Sequence, residues 1–247
     1  MGTVGAKTLP RRPLRIDLGH DMPFSIDRVI PWGRTFAEYR AMFDLSKGDL
    51  GGRILGCGDG PASFNAEMTA QGRAVVSVDP LYSHSAAAIE RRVQETFDVV
   101  MMQARDNQQD FVWTHVPSIQ ELGRRRMLAM RRFLSDFPTG RNDGRYVDGT
   151  LPDLPFGDST FDLALSSHFL FLYSPQFDLT FHCSALQEML RVASEARVFP
   201  LLQVGGTPSP HVQGVIEYFK SKGLRASIET VSYEFQRGGN KMMRLRR

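Results

Sequence analysis

Three glycines spaced two apart, Gly56, Gly58 and Gly60, follow a short apolar run at Ile54-Leu55, and a second run, Ala74 to Val78, ends on Asp79. Glycines in such a turn let backbone N–H groups approach a ligand, and an acid about twenty residues on can accept both hydroxyls of a ribose. Between the runs, Pro61 suits the first turn of a helix carrying Phe64 and Met68 on one face, and Gly72 suits its end. Strand, turn, helix, strand and terminal acid make the first half of a nucleotide-binding βαβ unit. Further along, Ser166-Ser167-His168 closes another apolar run, with Phe169, Phe171 and Tyr173 beyond it. A histidine there is a candidate general base, since an ordinary pKa of about 6.5 lets it take a proton near neutral pH. The alternative is a histidine hydrogen-bonded for structure.

The residue types in the glycine turn bear on the ligand. A dinucleotide fingerprint, G-x-G-x-x-G, leaves bare amides to hold a pyrophosphate. Here the third glycine comes one residue early, and Asp59 stands in the turn itself. A fixed negative charge about 4 Å from a phosphate costs about 4 kcal/mol at a near-surface effective dielectric. On this reading the turn disfavours phosphate and favours an adenosine that carries cationic groups.

The order G-x-G-x-G, then an acid ending the next strand, resembles motifs I and II of the class I S-adenosylmethionine-dependent methyltransferases. A second match runs from Leu154-Pro155-Phe156 through Asp158 to Phe161-Asp162, similar to the LPF-x-D-x-x-FD stretch that leads into that family's fourth strand. The resemblance covers 35–96 and 144–247. It implies an α/β fold: a doubly wound, mostly parallel seven-stranded sheet with an antiparallel C-terminal hairpin, here with a helical insertion between the second and third strands. It implies S-adenosyl-L-methionine as cofactor, with S-adenosyl-L-homocysteine as product, held by Gly56, Cys57, Gly58, Gly60, Asp79, Pro80 and Ser166. Thr150 and Leu151 fall where the family's adenine-contacting pair stands, with Thr150 in place of its acid. The family's acid two positions before the first glycine is Ile54 here. Arg34 is the candidate to hold the methionine carboxylate instead, against the alternative of a solvated surface charge. Ser167, Phe169, Tyr173 and His182 are candidates to bind the methyl acceptor, with His168 as its base. No acids are paired at a spacing suggestive of the divalent metal of catechol-type O-methyltransferases.

These groups need a scaffold. Residues 1–30 are expected to form an N-terminal tail or arm, since the Gly-, Pro- and Arg-rich start has no periodicity; 31–247 read as one domain. Phe36, Tyr39, Met42 and Phe43 recur at helical spacing, so a helix precedes the first strand. Ser83 or Ser85 can cap a helix through Ile89, Val93, Phe97 and Met101. A compact α/β unit would then return within a few residues, yet residues 98–142 intervene as a helical insertion, a lid or a partner surface. Over 119–137, Leu122, Met127, Met130, Phe133 and Leu134 share one side, and Arg124, Arg125, Arg131 and Arg132 gather opposite. The apolar stripe would equally serve a homodimer interface, and the arginine face either an anionic acceptor or plain solvation. Ser184 and Gln187 make a capping box for a later helix. Residues 226–235 and 241–245 read as strands joined by a hairpin at 236–240.

Composition bounds the rest. A chain of 247 residues with net charge +3 suits one large domain, and permits an acidic partner without demanding one. The two cysteines, Cys57 and Cys183, argue against a disulfide framework. The longest apolar stretch, Phe169 to Tyr173, is too short to span a bilayer, and 1–23 hold no apolar run of secretory length. The expectation is a cytoplasmic protein without a membrane partner. Methyl transfer to a small-molecule acceptor by direct in-line displacement leads. An RNA methyltransferase using the Arg124–Arg132 face and a non-catalytic S-adenosylmethionine-binding module are the alternatives. Ser-Ser-His-Phe after the fourth strand differs from the [DNS]-PP-[YF] of many amino-methylating enzymes, which counts against a nucleobase amine.

Overall fold

The structure, a computed structural model, describes residues 30–247; the arm expected at 1–30 lies outside the described residues apart from Ile30. The first helix, α1 (Phe36–Met42), starts at Thr35, whose hydroxyl accepts from the Glu38 amide while the Glu38 carboxylate returns to the Thr35 amide. Strand β1 (Ile54–Cys57), helix α2 (Phe64–Ala70) and strand β2 (Val75–Val78) follow as expected. Pro61 lies ahead of α2, not in its first turn. Ser63 is fixed there, its amide donating to the Arg34 carbonyl at 2.9 Å and its hydroxyl to Glu67 at 2.6 Å.

Helix α3 (Ala86–Asp106) is capped by the Ser85 hydroxyl, and α4 (Ile119–Asn142) by that of Ser118. Then come β3 (Tyr146–Val147), β4 (Phe161–Ser167), α5 (Leu179–Val192), β5 (Ala193–Phe199), α6 (Val212–Ser221), β6 (Arg225–Thr230) and β7 (Lys241–Arg246). The sheet runs β3-β2-β1-β4-β5-β7-β6. Its first five strands are parallel, and β7 is antiparallel to both β5 and β6. This is the fold expected. Strand order reverses between β1 and β4, and in open α/β sheets that switch point opens a crevice at the carboxyl ends of the strands. Alternation along each strand fills two cores. Leu55, Cys57, Ala164 and Val198 pack with α5 and α6, whereas Ile54, Val75, Leu163 and Leu165 pack with α1 and α2. Among the described residues no helix is long and apolar enough to cross a membrane.

The insertion differs from the expectation in two ways. It does not begin at 98, because α3 runs unbroken through that point with Ile89, Val93 and Met101 buried. It is packed on the domain. Phe133 and Phe137 of α4 pack on Tyr82 and Tyr146, and Asp136 pairs with Arg145 at 2.8 Å. The connection before α4 crosses to the far side: the Val112 amide donates to the Phe235 carbonyl at 2.7 Å, and Phe111 stacks on Phe235 at 4.7 Å. Finally, Leu122, Met130 and Phe133 are buried within this chain, so the apolar stripe is no argument for a dimer.

Two smaller expectations also fail. Helix α5 starts at Asp178, whose carboxylate accepts from the Phe181 amide at 2.8 Å, so Ser184 and Gln187 are interior and cap nothing. Strand β6 stops at Thr230 because Val231 and Tyr233 turn inward, leaving a longer connection than a tight hairpin.

Arg126 of α4, overlooked among its arginine neighbours, is 1% exposed and pairs with Glu38 of α1 at 2.7 Å. Tyr233 donates to the same carboxylate at 2.9 Å. Burial pushes the Glu38 carboxyl up, and the Arg126 charge outweighs it, holding the group down at about 2. Removing one partner strands a buried charge, a loss of about 3–5 kcal/mol. Arg126→Ala is therefore expected to lower unfolding free energy by that amount in urea titrations. Pairing Arg126→Met with Glu38→Leu is expected to recover most of it.

Candidate functional site

The glycine turn is built around a carboxylate that faces inward. Asp59 accepts from the Tyr39 hydroxyl at 2.7 Å on Oδ1 and from the Ser77 hydroxyl at 2.6 Å on Oδ2. A Cβ on Gly56 would lie 1.8 Å from Asp59 Oδ2, so the carboxylate occupies the space that only glycine leaves. Burial pushes the Asp59 carboxyl up to about 6, against the pull of the two hydroxyls. This corrects the sequence reading: Asp59 is not aimed at a ligand, and its charge gives no argument against phosphate. Ile54, where the resembled family keeps an acid, is fully buried against α1 and α2.

The outward-facing acid is Asp79. Its Oδ2 accepts from the Gly60 amide and its Oδ1 from the Leu81 amide, each at 2.8 Å, which ties the end of β2 to the turn. Tyr82 donates to the Gly60 carbonyl at 2.8 Å and holds the turn from below. Burial pushes the Asp79 carboxyl up to about 6, the two amides pull it down, and the Asp148 charge adds to the rise. Asp148, the residue directly after β3, is thus the acid beside Asp79. Sequence reasoning passed it over in favour of the next positions. Thr150 is exposed, donating only to its neighbour's carbonyl at 3.2 Å, and the Leu151 side chain is in the core. The Leu151 side chain is thus turned away from the crevice. Pro80 opens the short 3-10 turn over Pro80–Ser83.

Across the crevice lies the segment before α1. A Cβ on Gly33 would sit 2.1 Å from the Pro61 carbonyl oxygen, so this segment rests directly on the exit of the glycine turn. Arg34 donates through Nη1 to the Trp32 carbonyl at 3.1 Å, while its buried Nε has no acceptor among the described residues. Burial and the nearby Arg126 charge lower Arg34 to about 10, leaving it cationic at neutral pH. The Tyr173 phenol is raised by burial and feels both the Arg34 and Asp79 charges. Tyr173 is therefore near enough to both Arg34 and Asp79 for their charges to act on it.

His168 follows β4 with φ of 54°, its amide donating to the Phe199 carbonyl at 2.7 Å. Its Nδ1 meets the Ser167 hydroxyl at 2.9 Å. Burial, with Arg34 and Arg126 adding repulsion, holds the imidazole well below its ordinary value, so the ring is neutral. Phe169 rests against Gly58 and lies 6.2 Å from Tyr173, ring to ring. Ser166 is fully buried, with no partner for its hydroxyl among the described residues. Cys57 is fully buried, and burial pushes its thiol up, so only its backbone is at the turn. His182 is a correction. It is fully buried inside α5, its Nδ1 at 2.7 Å from the Asp178 carbonyl and its Nε2 at 3.1 Å from that of Leu170, so it reaches no acceptor. Among the described residues no group of three or more His, Cys, Asp and Glu is placed to hold a metal ion.

The raised Asp79 pKa has a stability consequence with a definite sign. A carboxyl whose folded value lies above its unfolded one of about 3.9 favours the fold below that value. The contribution is lost as pH rises through about 6. Urea unfolding of wild type and Asp79→Asn at pH 5 and pH 8 is expected to show the difference moving in favour of the variant at the higher pH.

No family model matches the chain. Among solved structures, similarity extends to an S-adenosylmethionine-dependent methyltransferase from Aquifex aeolicus, at 13% identity over 84% of this chain and 90% of that one, with a TM-score of 0.40. It also extends to the magnesium protoporphyrin IX methyltransferase of Synechocystis with bound S-adenosylmethionine, at 12% identity over 81% and 72%, with a TM-score of 0.42. Both likenesses are loose, and the strand order stands without them. A curated relative is nearer: uncharacterized protein MJ0045 of Methanocaldococcus jannaschii is 32% identical over 216 residues, spanning 87% of this chain and 95% of the relative. At that identity over nearly the whole of both proteins, the chain belongs to the same family as this archaeal protein.

Proposed function

We propose that this chain is an S-adenosylmethionine-dependent methyltransferase that acts on a small-molecule acceptor. The observation that carries the reading is the tie between Asp79 and the Gly60 amide at the strand-order reversal, with cationic Arg34 across the crevice. The residues suit the cofactor. Each Asp79 oxygen has a lone pair beyond its backbone bond, enough for two ribose hydroxyls. The buried Arg34 Nε lacks an acceptor among the described residues, which a methionine carboxylate would supply. Asp148, beside Asp79, would take the adenine amine in place of Thr150.

When bound, S-adenosylmethionine supplies a methyl group already activated by its sulfonium. The chain's share is positioning, which can supply about 7–11 kcal/mol when the reacting atoms are aligned. The connection before α4 would serve as a lid, excluding water from the crevice. His168 would accept the acceptor's proton at Nε2, being neutral already. Its lowered pKa makes it a modest base, suited to a proton that leaves as the new bond forms. The arginine face favours a small acceptor over RNA. Arg124 and Arg125 share Glu121 at 2.7 and 2.6 Å, and Arg132 faces Glu67 at 3.8 Å, so carboxylates already offset much of its charge.

Calorimetry is expected to give S-adenosylmethionine or S-adenosylhomocysteine binding at low-micromolar Kd or below. Asp79→Ala is expected to lose about 1.5–3 kcal/mol for each charged hydrogen bond removed; unchanged affinity would take Asp79 out of the site. Because ribose hydroxyls donate to the ionised carboxylate, wild-type affinity should also fall as pH drops below about 6.

Incubation with methyl-labelled cofactor and a cell extract tests the acceptor class. Label is expected in the small-molecule fraction. Label confined to RNA would replace the reading, and replacing Arg124, Arg125, Arg131 and Arg132 by Gln would then flatten its salt dependence.

A further inference from the structure

Strand β6 opens Arg225-Ala226-Ser227-Ile228-Glu229, a run that mirrors itself about Ser227. Apolar residues flank the serine, and opposite charges flank the apolar residues. The strand is the last of the sheet, paired with β7 on one side and with nothing among the described residues on the other. All its residues through Thr230 are exposed or half-exposed, and Ile228 is 46% exposed. A free sheet edge is a template for another strand, and chains usually blunt it with proline, lysine or a bulge. β6 has none of these, since its register with β7 is continuous from Arg225 to Thr230.

Backbone alternation decides which residues the free edge offers. Val231 continues the same register opposite Asn240, and its amide donates to the Asn240 carbonyl at 3.0 Å. In an antiparallel ladder, residues bonded to the neighbour alternate with residues whose groups point away. Arg225, Ser227 and Glu229 therefore bond to β7, while Ala226, Ile228 and Thr230 turn their amides and carbonyls outward. A second β6 laid antiparallel across Ser227 sets Ala226 of each copy opposite Ile228 of the other, so the outward groups of both meet partners. Arg225 of each copy then faces Glu229 of the other, at positions where cross-strand side chains approach most closely. Sliding the second strand by two residues sets Arg225 opposite Ser227 or Val231, and both charge pairs are lost. The side chains are available for this contact. Arg225 makes no ion pair among the described residues, and Glu229, half-exposed, has a 3.4 Å contact with Arg244 and a 3.2 Å bond from the Ser227 hydroxyl.

We propose that the outer edge of β6 is the docking site for a second copy of this chain, paired antiparallel about Ser227 in a two-fold dimer. A two-fold contact requires one surface to complement itself, and opposite charges placed symmetrically about Ser227 meet that requirement. The two Ile228 side chains come to the same face of the joined sheets. On that face Ala226 already packs against the cluster that holds Val215, Ile216 and Phe219 of α6, so pairing covers the exposed apolar surface. The edge stands three strands from β4, and the crevice of each copy is left free.

The test is sedimentation velocity on the full chain over a wide range of concentration at low salt, where surface charges are least screened. Wild type is expected to dimerise as concentration rises. Arg225→Glu and Glu229→Arg each turn both attractions into repulsions, and each is expected to weaken the dimer about tenfold or more. The double exchange, Arg225→Glu with Glu229→Arg, is expected to restore it. An equimolar mixture of the two single variants is expected to form a mixed dimer, because one copy then presents two acids and the other two arginines. Hydrogen exchange at the Ala226 and Ile228 amides is expected to slow with concentration in wild type and not in Arg225→Glu. A wild type that stays monomeric, or a dimer indifferent to both single substitutions, overturns the proposal. So does a loss of association that neither the double exchange nor the mixture recovers. Circular dichroism checks that each variant is folded. Should Glu229→Arg fail to fold beside Arg244, Arg225→Glu and amide exchange decide, and a dimer retained in that variant overturns the proposal.

Discussion

The Glu38–Arg126 contact holds together everything above the carboxyl ends of the strands. Glu38 is on α1, Arg126 on α4, and Tyr233, which shares the carboxylate, lies between β6 and β7. Arg126 also donates to the Gly33 carbonyl at 3.4 Å, drawing in the segment that carries Arg34. Taking two such charges out of water costs several kcal/mol each, and only close geometry with further hydrogen bonds offsets it. Glu38 meets that condition, since it also accepts from the Thr35 amide and hydroxyl. The pair therefore specifies one arrangement of three distant segments more than it adds stability. Arg34 faces the crevice because that arrangement leaves its own backbone resting on Pro61.

Beneath this layer the glycine turn is held by two acids with opposite duties. Asp59 looks inward and is satisfied by hydroxyls; Asp79 looks outward and is satisfied by backbone amides. Both are raised toward 6 by burial, and the Asp79 charge contributes to the rise of Asp59. The difference is what each has left over. Hydroxyl bonds close Asp59 into the core, whereas the amide bonds to Asp79 stop at the main chain and leave lone pairs open. Two aspartates that look alike in a motif are thus distinguished by the donors around them.

What was legible in the sequence was local. The strand–turn–helix–strand unit, the acid at its end and the helical stripe of α4 all repeat within one or two turns of chain, so periodicity and turn chemistry reveal them. Arg126 was legible too: it stands four residues from both Leu122 and Met130, on the apolar side, but a run of three arginines hid it. The inward turn of Asp59 was not legible, because it depends on Tyr39 and Ser77, 20 and 18 residues away. The early end of β6 was further out of reach. Apolar residues alternate at 226 and 228 and again at 231, 233 and 235, with the phase slipping at Thr230 where the strand ends, and the slip turns Tyr233 to Glu38, 195 residues distant. At α5, two capping patterns competed, and Asp178 took the cap because the chain turns into the helix before Ser184 is reached.

The sequence separations within the Glu38 cluster bear on how the molecule is assembled. Arg126 is 88 residues from Glu38 and Tyr233 is 195, so the cluster closes long loops, the second spanning most of the domain. Contacts of that range must meet their loop-closure entropy before they return any energy, which makes them slow to form. The parallel sheet beneath has to be in place first, since it alone brings the three segments near each other. The covering of the crevice is then a late-folding unit, though most of it shares a core with the sheet, through Phe133 and Phe137 on α4 and through Tyr39 and Tyr233. The connection before α4 rests on a smaller cluster of Ala104, Val116 and Leu122. Segments with few buried apolar contacts open below the free energy of global unfolding, so traffic in and out of the crevice can proceed by local opening of that connection, with the strands and their glycine turn left intact.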